Sequence, residues 1–162
     1  MISDITTKSD WRQHMKAVRH TASRPDGRTD KLLVHLDSLP FWRTASVIAS
    51  YRSTSDELDI SLIDQHALAS GRTVVYPAVV GRGLMEFRVW SADAPLQEGQ
   101  MGLHEPALGA EVIPVEKIDF FLIPLLACDT RGYRLGYGGG YYDRALVTSK
   151  GFRCGVGYGD QY

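Results

Sequence analysis

The run Ile118-Asp-Phe-Phe-Leu-Ile-Pro-Leu-Leu-Ala-Cys128 is the most apolar in the chain, and after a short polar break it leads into Gly132-Tyr-Arg-Leu-Gly-Tyr-Gly-Gly-Gly-Tyr-Tyr-Asp-Arg144. The first part holds an aspartate and a proline and is too short to span a bilayer. It reads as a strand over 119–127, buried on both faces and central in a sheet. The second part is dense in glycine, which costs backbone entropy and supplies nothing to pack. Either the chain turns tightly there between strand and helix, or something must come close to the backbone.

Working outward, the period of the apolar residues alternates between helix and strand. From Lys8 to Thr21, Trp11, Met15 and Val18 recur at four and three, so a helix is predicted. Lys8, Arg12, Lys16 and Arg19 form a basic stripe on a neighbouring face. Pro25 and Gly27 break the chain, and Asp26 is placed to cap a second helix that carries Leu32, Leu33 and Leu36 and stops at Pro40. Residues 45–51 predict a buried strand and 52–57 a polar loop. Residues 58–70 predict a helix with Ile60, Ile63, Ala67 and Leu68 inward, ended by Gly71. A strand over 73–76 is ended by Pro77, and 84–90 alternates as a half-exposed strand. A long loop follows over 91–116. A helix over about 140–148 and a strand over 152–157 complete the pattern. Strands alternating with helices argue for an α/β domain with a mainly parallel central sheet flanked by helices. The glycine stretch then lies past the carboxyl end of a central strand, where ligands of open α/β sheets collect.

The totals narrow the class. The chain has 162 residues, 44% hydrophobic and 23% charged, with a net charge of -1. That suits a single globular domain and offers no global field for nucleic acid or an anionic membrane. Two cysteines, Cys128 and Cys154, make no disulfide framework and read as buried thiols of a reducing compartment. With no apolar signal core at the N-terminus, a cytoplasmic location is expected. So are the absence of membrane or nucleic-acid partners and a monomer or weak homodimer. His14, His20, His35, His66 and His104 fall in no zinc pattern, and no nucleophile elbow is present.

Glycines that aim successive N–H groups into one concavity, followed by a helix N-terminus, favour phosphate. Arg134 and Arg144 stand ready for charge-assisted contacts, and Asp143 for magnesium, directly or through water. The spacing is neither a Walker A loop nor the dinucleotide fingerprint. The basic stripe of the first helix is either a solvated face or the source of further cations for a triphosphate, through Lys8 and Arg12. Glu57 is either a carboxylate favouring a helix N-terminus or an anchor for a ligand bearing N–H donors.

Residues 122–144 closely resemble the signature of the 5-formyltetrahydrofolate cyclo-ligase, or methenyltetrahydrofolate synthetase, family. Lys8-Ser-Asp-Trp-Arg12 resembles its N-terminal Lys-x-x-x-Arg, and Tyr51–Asp59 the segment with its substrate glutamate. Gly102-Leu-His-Glu-Pro106 resembles its Gly-x-x-Glu-Pro loop. These segments come in the family's order. The resemblance implies a three-layer fold like that of sugar-phosphate isomerases and CoA transferases, and a single domain over 1–162 that lacks a C-terminal strand segment usual in the family. It implies ATP- and magnesium-dependent closure of 5-formyltetrahydrofolate to 5,10-methenyltetrahydrofolate, with ADP and phosphate released. It assigns ATP contacts to Lys8, Arg12, Arg134, Leu135, Gly136, Tyr137, Gly138, Gly139, Gly140, Tyr141 and Tyr142. It assigns folate contacts to Arg52 and Glu57, magnesium to Asp143, and places Arg134 and Tyr141 at the reacting groups. Arg52 and Tyr137 depart from the residues usual there. Two other readings keep the fold and change the function. One is a non-catalytic nucleotide- or RNA-binding module, and the other a sugar-phosphate isomerase or CoA transferase.

Overall fold

Alternation at period two builds the sheet. In a computed structural model that describes residues 6–22, 28–99 and 102–162, strand β7 (Phe120–Pro124) turns Phe120 and Leu122 to one face and Phe121 and Ile123 to the other, all buried. Each such side chain contributes roughly 1.5–3 kcal/mol by leaving water. Parallel neighbours flank β7 on both sides: β1 (Val47–Ala49), with Ile48 opposite Phe120, and β10 (Phe152–Val156), with Phe152 opposite Phe120. On the far side of β1 lies β2 (Thr73–Gly81), also parallel, with Ile48 opposite Val74. From there the sheet turns antiparallel through β3 (Leu84–Trp90) and β6 (Val112–Ile113), giving the order β10-β7-β1-β2-β3-β6. The aspartate inside the apolar run joins two strands. Asp119 Oδ2 accepts the N–H groups of Ser46 and Val47, both at 2.9 Å, and staples the start of β1 to that of β7.

Helices α2 (Arg28–Ser38), α3 (Pro40–Thr44) and α4 (Ser61–Ala69) cover one face, where Leu36, Trp42, Ile63 and Ala67 pack on Ile48, Val74 and Phe120. The other face is covered by Leu146, Ile118 and the short helix α5 (Tyr141–Ala145). Helix α1 (Lys8–Ala22) contacts the C-terminal 3-10 turn at Gly159–Gln161. That turn is pinned by Gln161, whose Nε2 donates to the carbonyls of Leu125 and Leu126 at 2.8 and 3.0 Å.

Several expected boundaries move, each for a local reason. Pro40 ends α2 and also opens α3 at its first turn, where a missing N–H costs nothing. The helix expected over 58–70 starts at Ser61, because the Asp59 carboxylate takes the N–H of Ser61 in a turn. Pro77 does not end its strand. Main-chain groups of β2 on its Thr73 and Val75 side bond to Ser46 and Ser50 of the β1 segment. Pro77 falls on that same side, two residues beyond the last of these bonds, so its lack of an N–H breaks no ladder bond. The loop over 91–116 contains β4 (Gln97–Glu98) paired with β5 (His104–Glu105), and β6 at the sheet edge. The helix expected to Thr148 ends at Ala145. The breakers Pro25 and Gly27 and the cap Asp26 lie outside the described residues.

Candidate functional site

Parallel strands deliver their loops to one edge, and here the loop after β1, the β4–β5 segment and the chain after β7 meet helix α1 near the carboxyl ends of β1 and β7. Their walls enclose a cleft of about 500 Å³. Lys8, Arg12, Arg52, Glu57, every residue from Arg134 to Tyr142, and Asp143 all line it. The structure therefore brings together every residue assigned above to ATP, folate or magnesium.

The glycine segment emerges from a hairpin, β8 (Ala127–Cys128) with β9 (Arg134–Leu135), and leads into α5. Gly140 enters the helix with φ +68°, a left-handed conformation that other residues adopt only with strain. Arg12 reaches across from α1 and donates from Nε to the Gly136 carbonyl at 3.0 Å. A Cβ at Gly138 would lie 3.2 Å from its guanidinium carbon. Thus the opening helix and the late glycine segment share one wall, although more than a hundred residues separate them in sequence. Arg134 lies over the Tyr142 ring, 5.4 Å from its centre, and donates to Asp143 Oδ1 at 2.6 Å. The Tyr142 hydroxyl is buried and has no partner among the described residues. Burial, then the charge of Glu57, drives its pKa well above that of a free phenol. It stays a neutral hydroxyl, ready to donate to or accept from a bound group.

Arg144 corrects one expectation. It does not line the cleft. Its Nε donates to the Gly83 carbonyl at 2.7 Å and a terminal nitrogen donates to the Gly139 carbonyl, which ties the glycine segment to the β2–β3 turn. Its charge braces the nest rather than a phosphate.

On another side the cleft has an apolar wall of Pro77, Val79, Met85 and Leu103, suited to a flat ring. The β4–β5 hairpin that carries Leu103 is held by Glu105, whose Oε1 accepts the Val79 N–H at 3.1 Å. Glu57, its side chain 8% exposed, lines the same cleft: Oε2 accepts the Thr54 N–H at 2.9 Å, and Oε1 lies 3.4 Å from Arg19 Nη1. Beneath the floor, Asp64 takes a hydrogen bond from the Tyr76 hydroxyl at 2.6 Å. Burial raises the Asp64 carboxyl to about 6, against the lowering effects of Ser50, Tyr76 and Arg52.

The bracing groups are not legible in the sequence. Nothing in the spacing marks Gln161 as the anchor beneath the site. Arg19 stands out only as the last member of the basic stripe. That stripe is nevertheless a usable signal, since all four of its members lie against the cleft or against Tyr137.

Fold and site together define a class: an α/β domain with a cleft at the carboxyl edge of its parallel strands, lined by a glycine segment, by Lys8, Arg12 and Arg134, and by an apolar wall. The model of the 5-formyltetrahydrofolate cyclo-ligase family matches residues 4–156, and the chain belongs to that family. The 5-formyltetrahydrofolate cyclo-ligase of Haemophilus influenzae is 34% identical over 107 residues, 64% of this chain and 57% of that protein. The Escherichia coli protein of the same name is 31% identical over 118 residues, 70% of this chain and 65% of that one. The chain thus spans 57–65% of the length of these two curated relatives. Aquifex aeolicus 5,10-methenyltetrahydrofolate synthetase superposes with a TM-score of 0.80 at 30% identity, over 96% of this chain and 80% of that one. The Mycoplasma pneumoniae synthetase superposes with a TM-score of 0.74 over 96% and 88%; at 23% identity it speaks for the fold alone. Among the described residues, no helix is long and apolar enough to cross a membrane.

Proposed function

We propose that this chain binds ATP along the glycine segment and 5-formyltetrahydrofolate against the apolar wall, as two compartments of the one cleft, and closes the folate ring to 5,10-methenyltetrahydrofolate. The observation that carries the reading is the shared wall: Arg12 of α1 and the Gly136–Gly140 main chain face one cavity, which Glu57 also lines. An amide oxygen leaves poorly, so the formyl oxygen first attacks the γ-phosphorus and ADP departs. The folate N10 then adds to the formyl carbon and loses its proton, and phosphate leaves with the former formyl oxygen. Neither step needs a protein nucleophile; both need positioning and neutralised charge.

The chain's residues meet those needs in a direct way. Lys8, Arg12 and Arg134 face the triphosphate, and the amides around Gly138–Tyr141 receive its oxygens. Glu57 accepts N–H donors of the folate, with Arg52 beside it. The apolar wall keeps water from the activated carbon. Tyr141 lines the nest where the reacting groups meet.

The donor set suits a magnesium ion that arrives with the nucleotide. Among the described residues no three His, Cys, Asp or Glu side chains converge, whereas Asp143 offers one 75%-exposed carboxylate at the mouth. Such an ion would neutralise charge on the phosphates.

Family membership favours catalysis over a binding-only module. The test is direct: purified protein with 5-formyltetrahydrofolate, ATP and magnesium should show near-ultraviolet absorbance of the methenyl product, lost when either ATP or the folate is left out. A folded sample that forms no product under these conditions overturns the proposal.

A further inference from the structure

Arg19 does not line the cleft but touches two residues that do, Glu57 and Tyr137, and plays no part in the reaction proposed there. Its side chain is 5% exposed. Nη1 lies 3.4 Å from Glu57 Oε1, Nη2 donates to the Tyr137 hydroxyl, and Nε is buried with no acceptor among the described residues. The Tyr137 ring lies near two cations, 5.0 Å from the Arg19 guanidinium and 5.5 Å from the Lys16 ammonium. A buried guanidinium with one long ion pair, one hydroxyl and one orphan N–H is incompletely satisfied. It therefore responds to whatever its neighbours do.

Those neighbours belong to different compartments. Glu57 sits in the loop after β1. Its Oε2 is committed to the Thr54 N–H, which leaves Oε1 to be shared between Arg19 and a ligand's donors. Tyr137 sits inside the glycine segment, next to the Gly136 carbonyl that Arg12 holds. Arg19 is thus a two-ended tie between the carboxylate of one compartment and the nucleotide nest of the other.

We infer that Arg19 is a positioning residue that couples the two compartments, so that filling either one tightens the other. The inference rests on the substrates proposed above. A folate held on Glu57 fixes that carboxylate, hence Arg19, hence Tyr137. The glycine segment then loses less freedom when it closes on phosphate. Linkage requires the nucleotide to tighten folate binding by the same factor.

The test is calorimetric, on the full chain, with a non-hydrolysable ATP analogue plus magnesium and with 5-formyltetrahydrofolate. Each ligand is titrated alone and then against saturating amounts of the other. The expected result is mutual tightening of about five-fold or more, equal in both directions. Arg19→Lys keeps the charge but loses the planar fork, and Tyr137→Phe removes the hydroxyl acceptor. Each should bring the ratio close to one. A residue that merely supported the fold would weaken both ligands and leave the ratio intact. A ratio of one in the parent protein, or a ratio preserved in either variant, overturns the inference. If Arg19→Lys loses its cooperative unfolding transition, Tyr137→Phe alone decides. A ligand that fails to bind the parent protein even with the other present is a separate result, which overturns the substrate assignment and this coupling with it; one that binds only with the other present is the strong limit of the coupling.

Discussion

Replacing Asp64 by asparagine should make the protein more stable at neutral pH, although a buried hydrogen-bonded group is changed. Asp64 is 2% exposed, and its Oδ2 accepts from the Tyr76 hydroxyl. Its Oδ1 and the Ser50 hydroxyl are both buried and make no hydrogen bond of ordinary length and angle among the described residues, although Ser50 lies near enough to lower the carboxyl. Burial lifts the carboxyl from 3.8 to about 6; Arg52 pulls it down, and Asp59 adds to the rise. A folded-state value above the unfolded one means that the native state binds the extra proton. Stability from this group is therefore greatest below pH 4 and falls as pH rises through about 6. The shift of about two units corresponds to about 3 kcal/mol of penalty for the charged form above that window. Asparagine keeps an acceptor for Tyr76, carries no charge and offers an N–H to Ser50. Losing the attraction to Arg52 trims the gain, leaving about 1–3 kcal/mol of added stability near pH 7.5. Urea midpoints for both proteins, measured from pH 4 to 8, give the difference directly and cancel every other titrating group. The advantage of the variant should grow with pH through the window and then level off. A pH-independent difference, or a variant less stable than the parent at pH 7.5, would show that the carboxylate is solvated or paired in a way the geometry does not contain.

Three further outcomes are expected. Arg134→Ala should weaken ATP binding by about 1–3 kcal/mol, roughly five- to 150-fold in Kd by calorimetry. Asp143→Asn should raise the magnesium concentration needed for half-maximal activity and leave the urea midpoint nearly unchanged, because that side chain is 75% exposed. Gly151→Ala should cost about 2 kcal/mol or more in urea unfolding, because its Cβ would sit 2.3 Å from the Ile118 carbonyl oxygen and 2.9 Å from that of Asp119. Those are main-chain atoms of the sheet and have little room to yield.

The long periodic segments were legible because burial on a face leaves a pattern in the sequence. The residues of β7 show this plainly, and so does the placement of the glycine segment beyond a buried strand; in α1 the pattern holds only in part, since Met15 is buried but Trp11 of the same stripe is exposed and Arg19 of the basic stripe is buried. Two-residue strands leave no such pattern. Gln97–Glu98, His104–Glu105 and Val112–Ile113 were therefore invisible within their loop. Pro77 misled because the rule that proline ends a strand depends on whether a neighbour wants its N–H, and that is decided by where β1 stops. In the site, residue types announced the chemistry but not the partner. Arg144 and Arg134 flank the same glycines, yet Arg144 turns to the carbonyl of Gly83, sixty-one residues away. Arg19 and Glu57 meet only because α1 lies against the loop after β1.

The continuation of β2 past Pro77 has a consequence for what the protein avoids. Beyond Ser50 the β1 side of β2 has no strand partner among the described residues, and unpaired strand edges are where extended peptides zip up. Proline removes one donor from that edge, and the Glu105 carboxylate occupies the next, at Val79. Two successive donors on this stretch of edge are thereby missing or taken, which leaves an added strand little to pair with there.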